Sequence, residues 1–394
     1  MPTEATFFLA GLFVVAAAMG WAFASYSSAQ EHDRSPPLIN ADYIRGLNLV
    51  LNRQTDEALE LFVRMAKVDE ETLETHFALG HLFRRRGEID KAIRVHQNLL
   101  ARPSLSEAQR YQALFSLAQD YLSAGLFDRA EKLFIDLCGS STRKQAALEN
   151  LVDIYERESD WAKAIEAHRE LEVITGKKST QLAHYYCELA EKARLSSNLD
   201  LARHYLKSSV RTESGVFRGR LIRAAIAQEE RDYAQAMRLY EQVLESDQRM
   251  MVEVLPQLIE CYQMTERQDE LADYLEQLTL DNIDAKQNLA YSAIINELFE
   301  PPLLRACVES FIMNHEFMGA LIGKQYLESL SSEDREQAIL RITNGLRSLA
   351  LSSTRYRCID CGYSPQRLVW HCPSCKLWET IKPLRDFQFE RLIS

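Results

Sequence analysis

The sequence predicts an all-α solenoid of helical pairs, carried on a membrane-crossing N-terminal helix and closed by a small C-terminal metal ribbon. Three observations carry that reading. A pattern of small and bulky residues recurs at 34- or 38-residue intervals, residues 5–24 contain no charge, and four of the eight cysteines crowd between Cys358 and Cys375. Composition agrees: 46% hydrophobic and 26% charged residues are ordinary globular usage and exclude wholesale disorder. Fourteen glycines and ten prolines in 394 residues are too few turn-formers for a barrel or sandwich of short strands. A net charge of −11 argues against a general nucleic-acid binder, and eight cysteines are too sparse for a disulfide scaffold.

Residues 5–24 (ATFFLAGLFVVAAAMGWAFA) form an uncharged run. At 1.5 Å per residue it spans about 30 Å, the thickness of a bilayer core. Trp21, Phe23 and Tyr26 suit the headgroup layer at its far end. Ala22-Phe23-Ala24 has the look of a signal cleavage site, but residues 1–6 hold Glu4 and no Lys or Arg, so the basic start of a secretory signal is missing. An uncleaved anchor is therefore expected. Arg34, Arg45 and Arg53 follow it and place the body on the cytoplasmic side. Residues 25–40, with Pro36-Pro37, read as a linker.

From residue 41 to 353 a repeat is visible. Gly46 is followed by Ala58 and Phe62, Gly80 by Ala92 and His96, Ala118 by Ala130 and Phe134. Val152 is followed by Ala164 and His168, Ala190 by Ala202 and Leu206, Ala224 by Ala236 and Tyr240. A degenerate copy involves Ile259, Tyr262 and Leu271. Small residues let two helices cross closely, and the bulky ones fill the space to the next pair. This resembles the tetratricopeptide repeat, a superhelical solenoid of helix–turn–helix units. Turns are expected at Gly87-Glu88, Gly125-Leu126, Ser159-Asp160 and Arg231-Asp232, and the four-residue insertions in loops near Ser104–Glu107 and Gly176–Ser179. After about residue 281 the period blurs, with helices expected over Ala285–Leu298, Leu303–Met313, Gly319–Ser329 and Asp334–Ala350, interrupted at Pro301-Pro302. Such an array binds proteins or peptides, and the fold itself implies no catalysis.

In residues 354–394, Cys358, Cys361, Cys372 and Cys375 have the spacing C-x2-C-x10-C-x2-C. Two residues between cysteines let both thiolates face one ion from a tight turn, and two such turns complete a tetrahedron. The pattern predicts a rubredoxin-like zinc ribbon with one ion per chain. Zn is the expected metal, and Fe suits the same four-sulfur set. His371 is read as a neighbour of the site rather than a ligand. The segment from Arg355 holds seven basic and four acidic residues, a basic rim suited to the repeats, a protein or anionic lipid.

Other candidates are set aside. Cys138, Cys187, Cys261 and Cys307 read as buried thiols, and His96 and His168 as packed residues in bulky slots. His184 and Cys187 have an i,i+3 spacing without a further ligand. Arg84-Arg85-Arg86 reads as a solvated charge run. No phosphate loop, nucleophile elbow or His-Glu-x-x-His occurs.

The ribbon YRCIDCGYSPQRLVWHCPSCKLWETIKPL and the repeats ADYIRGLNLVLNRQTDEALELF and LGHLFRRRGEIDKAIRVHQNLL resemble the lipopolysaccharide assembly protein B (LapB) family. The ribbon is also similar to that of RadA recombination proteins, whose ATPase signatures are missing here. The LapB resemblance implies a single-pass inner-membrane protein, a non-enzymatic adaptor regulating lipopolysaccharide synthesis. It implies delivery of the lipid A pathway deacetylase to the FtsH protease, restraint by a lipopolysaccharide-sensing membrane protein, and a ribbon docked on the repeats. Cys358, Cys361, Cys372 and Cys375 match the family's metal ligands, while no partner-contact residue carries over. Two rival readings stand beside it: an envelope assembly scaffold without a proteolytic role, and a redox protein using the four-sulfur site. A homo-oligomer is compatible with all three.

Overall fold

The computed structural model describes Met19 and residues 41–52, 54–68, 73–212, 217–280, 282–299, 301–314, 324–352 and 354–384. The expected anchor and linker lie outside the described residues, Met19 apart. Among the described residues no helix is long and apolar enough to cross a membrane. The chain divides into two compact units, residues 1–154 and 155–394.

In the first unit helices α1 (Ala41–Leu51), α2 (Thr55–Val68), α3 (Leu73–Arg86), α4 (Ile89–Leu100), α5 (Glu107–Ser123) and α6 (Phe127–Leu137) pack as successive hairpins. Helix α7 (Lys144–Glu158) runs through the boundary. The repeat slots behave as their residue types require. Ala58, Phe62, Ala92, His96, Ala118, Ala130 and Phe134 are all fully buried. A Cβ on Gly46 would lie 2.5 Å from Phe62 Cζ, and one on Gly80 would lie 2.4 Å from His96 Nε2. Only glycine admits these crossings. Burial of a ring such as Phe62 contributes about 1.5–3 kcal/mol.

His96 and Asp120 are both sealed from solvent, with His96 Nδ1 against Asp120 Oδ2. Arg84 Nη1 donates to Asp120 Oδ1 at 2.7 Å and to the Ser116 carbonyl at 3.1 Å, and Arg84 Nη2 donates to Gln119 Oε1 at 3.0 Å. A buried carboxylate is tolerated only with such partners. The solvated reading of the arginine run therefore holds for exposed Arg85 and fails for Arg84, which ties α3 to α5.

The second unit continues with α8 (Trp161–Thr175), α9 (Gln181–Leu195), α10 (Leu199–Thr212), α11 (Phe217–Glu229) and α12 (Tyr233–Ser246). A 3-10 turn (Gln248–Met250) leads to α13 (Met251–Met264), α14 (Gln268–Thr279), α15 (Ile283–Asn296), α16 (Pro302–Asn314), α17 (Lys324–Ser329) and α18 (Ser332–Ser352). Here Ala164, Ala190, Ala202, Ala224 and Ala236 are fully buried, with His168, Leu206 and Tyr240 nearly so. The helices after residue 281 begin and end within a few residues of expectation, except that α17 is described only from Lys324.

The turns repeat with the helices. Gly87, Gly125, Ser159, Ser197, Arg231 and Glu266 all adopt left-handed φ between 57° and 85°. After each, the next N–H reaches back to the carbonyl five residues earlier, as in Glu88 to Phe83 (2.9 Å) and Asp232 to Ala227 (2.8 Å). That closure satisfies orphan carbonyls at a helix end and offsets the cost of a left-handed non-glycine residue. The insertions are absorbed partly in helix: α5 has 17 residues and α8 has 15, against 12 and 11 in α4 and α6.

Candidate metal centre

Two short strands frame the C-terminal ribbon. β1 (Tyr356–Cys358) and β2 (Ile381–Pro383) pair antiparallel, with Tyr356 opposite Pro383 and Cys358 opposite Ile381. Each Cys-x2-Cys pair sits in a tight turn. Gly362 N donates to the Cys358 carbonyl at 3.1 Å, and Lys376 N donates to the Cys372 carbonyl at 2.9 Å. Gly362 and Lys376 occupy equivalent positions and both take left-handed φ, 77° and 63°. The glycine was legible as a turn residue; its lysine counterpart was not, because lysine carries no such signal.

These turns bring the four predicted ligands together. All four sulfurs lie within 4.8 Å of one another. Cys358 Sγ is 3.7 Å from Cys375 Sγ, and Cys361 Sγ is 3.7 Å from Cys372 Sγ. Four sulfurs about 2.3 Å from one ion at tetrahedral angles stand about 3.8 Å apart. The donor set thus fits one thiophilic ion.

Electrostatics point the same way. Desolvation opposes the Cys358 thiolate, but the N–H groups of Cys361 and Asp360 and the Thr380 hydroxyl outweigh it and bring this thiol down to about 6. The Tyr363 N–H helps lower Cys361. The Leu377 N–H acts likewise on Cys375, yet desolvation and three neighbouring sulfurs drive it up to about 12. Four such sulfurs cannot all be thiolates without a cation between them.

The ribbon is docked on the helices of its own unit. Trp378 is sandwiched between two imidazoles: His184 of α9 stacks on it at 5.0 Å and His371 at 4.6 Å. Trp161 and Tyr185 meet the same indole edge-on at 5.8 and 5.9 Å. Burial, with Arg218 and His371 nearby, lowers His184 to about 4 and keeps its ring neutral for stacking. Arg218 pairs with Glu188 and lies over Trp370 at 5.8 Å. Glu379 accepts the Arg218 N–H at 3.4 Å, placing a carboxylate at the N-terminus of α11. Lys382 reaches Asp247 at 3.6 Å and lies over Phe217 at 4.8 Å, and the Tyr356 hydroxyl bonds Glu253.

His184, passed over in the sequence because its i,i+3 spacing to Cys187 lacked further ligands, is thus a docking ring. Cys187 is buried beside Ser209 at 3.4 Å, and burial pushes its thiol up to about 11. Cys261 is also buried, while Cys138 and Cys307 are half-buried. Trp378 and Glu379 were missed as docking residues, while Lys382 belongs to the basic rim expected to suit the repeats. A tryptophan three residues beyond the last cysteine was the one available signal.

Comparisons with known proteins follow this architecture. The rubredoxin metal binding domain family matches residues 356–383, and the tetratricopeptide repeat family matches residues 75–108. Lipopolysaccharide assembly protein B of Escherichia coli (strain K12) is 33% identical over 377 residues, covering 95% of this chain and 97% of that protein. The protein of the same name from Haemophilus influenzae is 30% identical over 392 residues, again covering 95% and 97%. Among solved structures, that of MamA protein is similar over 43% of this chain and 88% of its own, at 19% identity and a TM-score of 0.33.

Proposed function

Because the chain belongs to the lipopolysaccharide assembly protein B family, we propose that it is a non-enzymatic adaptor in lipopolysaccharide assembly. Residues 5–24 anchor it in the inner membrane and its body faces the cytoplasm. The repeats capture the deacetylase of the lipid A pathway and present it to the FtsH protease, under restraint from a lipopolysaccharide-sensing membrane protein. The supporting observation is that the 33% identity runs through repeats and ribbon alike, over 95% of the chain. The mechanism is effective concentration: a client held beside a membrane protease meets it more often without any new chemistry.

Cys358, Cys361, Cys372 and Cys375 hold one ion, Zn in this reading. The ion supplies a structural cross-link, and the folding energy of a segment too small for its own core comes largely from it. Docking through Trp378, and through Trp370 and Glu379 at Arg218, then couples the ribbon's integrity to α8, α9 and α11.

Depletion of this protein should lengthen the half-life of the deacetylase several-fold. An unchanged half-life, with the protease and deacetylase absent from pull-downs, removes the proteolytic step and leaves an assembly scaffold. Metal analysis addresses the redox alternative: a colourless protein with one Zn excludes it.

A further inference from the structure

A cavity of about 500 Å³ opens between α10 and the α11/α12 hairpin. Its floor is apolar: Leu206, Ile226 and Ala227 are each 3% exposed, while Val210 is 45% exposed. Its wall is cationic. Arg203, Lys207 and Arg211 follow one another at four-residue steps on α10, and Arg223 joins them from α11. Arg203 is spoken for by Glu230 and by Asp200 at 3.0 Å. Lys207, Arg211 and Arg223 are exposed and have no carboxylate partner among the described residues.

Like charges at i,i+4 repel, so this row is unfavourable for the isolated helix. It stands out in a chain of net charge −11, where a cleft with an apolar floor focuses its positive field on an incoming anion. Geometry narrows the class. At 1.5 Å per residue the row is about 12 Å long with steps of about 6 Å. Alternate side chains of an extended peptide repeat at about 6.6–6.8 Å on one face, close to that step. Arg203 is already neutralised by Glu230 and Asp200, so the uncompensated cations lie toward Lys207, Arg211 and Arg223 and set the register at that end.

We propose that this cleft binds an extended acidic segment of a partner protein, with alternate carboxylates on Lys207 and Arg211, Arg223 adding positive charge from α11, and an aliphatic side chain between them on Leu206 and Ile226. The proposal rests on the adaptor reading and names the chemistry of one of its captured segments.

The test uses the purified full chain in detergent and a fluorescein-labelled peptide of alternating glutamate and leucine, read by anisotropy. The wild type should bind it, more weakly as salt rises, and should ignore the matching lysine–leucine peptide. The Lys207→Glu/Arg211→Glu double variant, altered only at exposed positions, should bind at least tenfold more weakly, and Val210→Asp should weaken binding independently. Equal binding by wild type and double variant overturns the proposal. So does full displacement of the peptide by millimolar inorganic phosphate, which marks a small-anion site instead. The adaptor reading fails separately: an unchanged deacetylase half-life on depletion removes it, while probe binding lost in the double variant still upholds this cleft.

Discussion

The indole of Trp378 lies flat on the imidazole of His184, ring centroids 5.0 Å apart and planes 8° apart. One ring belongs to the metal ribbon and the other to the first turn of α9. The contact joins a segment with little core of its own to a helix packed within the repeat array, so their stabilities are linked.

Truncating that ring separates docking from metal binding. Trp378→Ala should lower the stability of the second unit by about 3–5 kcal/mol, as expected for a large buried aromatic. Metal content should stay at one ion per chain, because the four cysteines are untouched. Denaturant unfolding paired with elemental analysis checks both halves, and loss of the ion would show that docking and metal site are one cooperative element.

Removing the ion acts in the other direction. Cys372→Ser or a strong chelator should unfold residues 354–384 and expose Trp370 and Trp378 to water. A red shift of tryptophan fluorescence and rapid proteolysis after α18 are the expected readouts. The loss draws on a metal-binding energy of about 10–16 kcal/mol in comparable finger peptides. In cells the deacetylase should accumulate, and unchanged levels would count against a role for the ribbon.

Gly80 tests the close crossing of α3 and α4. Gly80→Ala puts a methyl group 2.4 Å from His96 Nε2 and should destabilise by about 1–3 kcal/mol through overpacking. Combining it with His96→Ala should cost less than the sum of the two single changes, which a double-mutant cycle measures directly. Simple additivity would place the strain elsewhere.

Acid should loosen the first unit through His81. Burial, with Arg84 and His96 nearby, lowers this imidazole to about 4 from an ordinary value near 6.5. The unfolded chain therefore binds the proton more readily between those values. His81 contributes stability that is present above about pH 6.5 and lost as pH falls toward 4. His81→Gln, which does not titrate, should flatten the dependence of the unfolding midpoint on pH in that window, and an unchanged slope would assign the effect to other groups.

Arg84 and Asp120 form the second charge test. Arg84→Met leaves the fully buried Asp120 carboxylate with His96 but without its cationic partner and should cost about 3–5 kcal/mol. Adding Asp120→Asn should restore part of it in equilibrium unfolding.

Much of the helical array was legible because a helical hairpin is specified locally. Small and bulky positions twelve and sixteen residues apart, with a turn between, are enough to define one unit, and Ala92, Ala130 and Ala202 are buried where that pattern demands. The four cysteines were legible for the same reason, since two-residue spacing shapes each turn. Ser197 and Glu266 take the same left-handed turn as Gly87 without any residue type to announce it. Arg84 misled because a charged triplet looks alike whether solvated or paired, and its carboxylate sits 36 positions away on the next helical pair.

Periodicity and cysteine spacing alone were therefore enough to place the helical pairs and the ion site, since each is encoded within a few tens of residues of chain. A ribbon docked on the repeats was implied by the family resemblance, but the residues that make the dock came only from the folded molecule. His184 and Trp378 are brought together by a hydrophobic and electrostatic fit between distant surfaces, and nothing in the spacing of residues along a chain records which surfaces will meet.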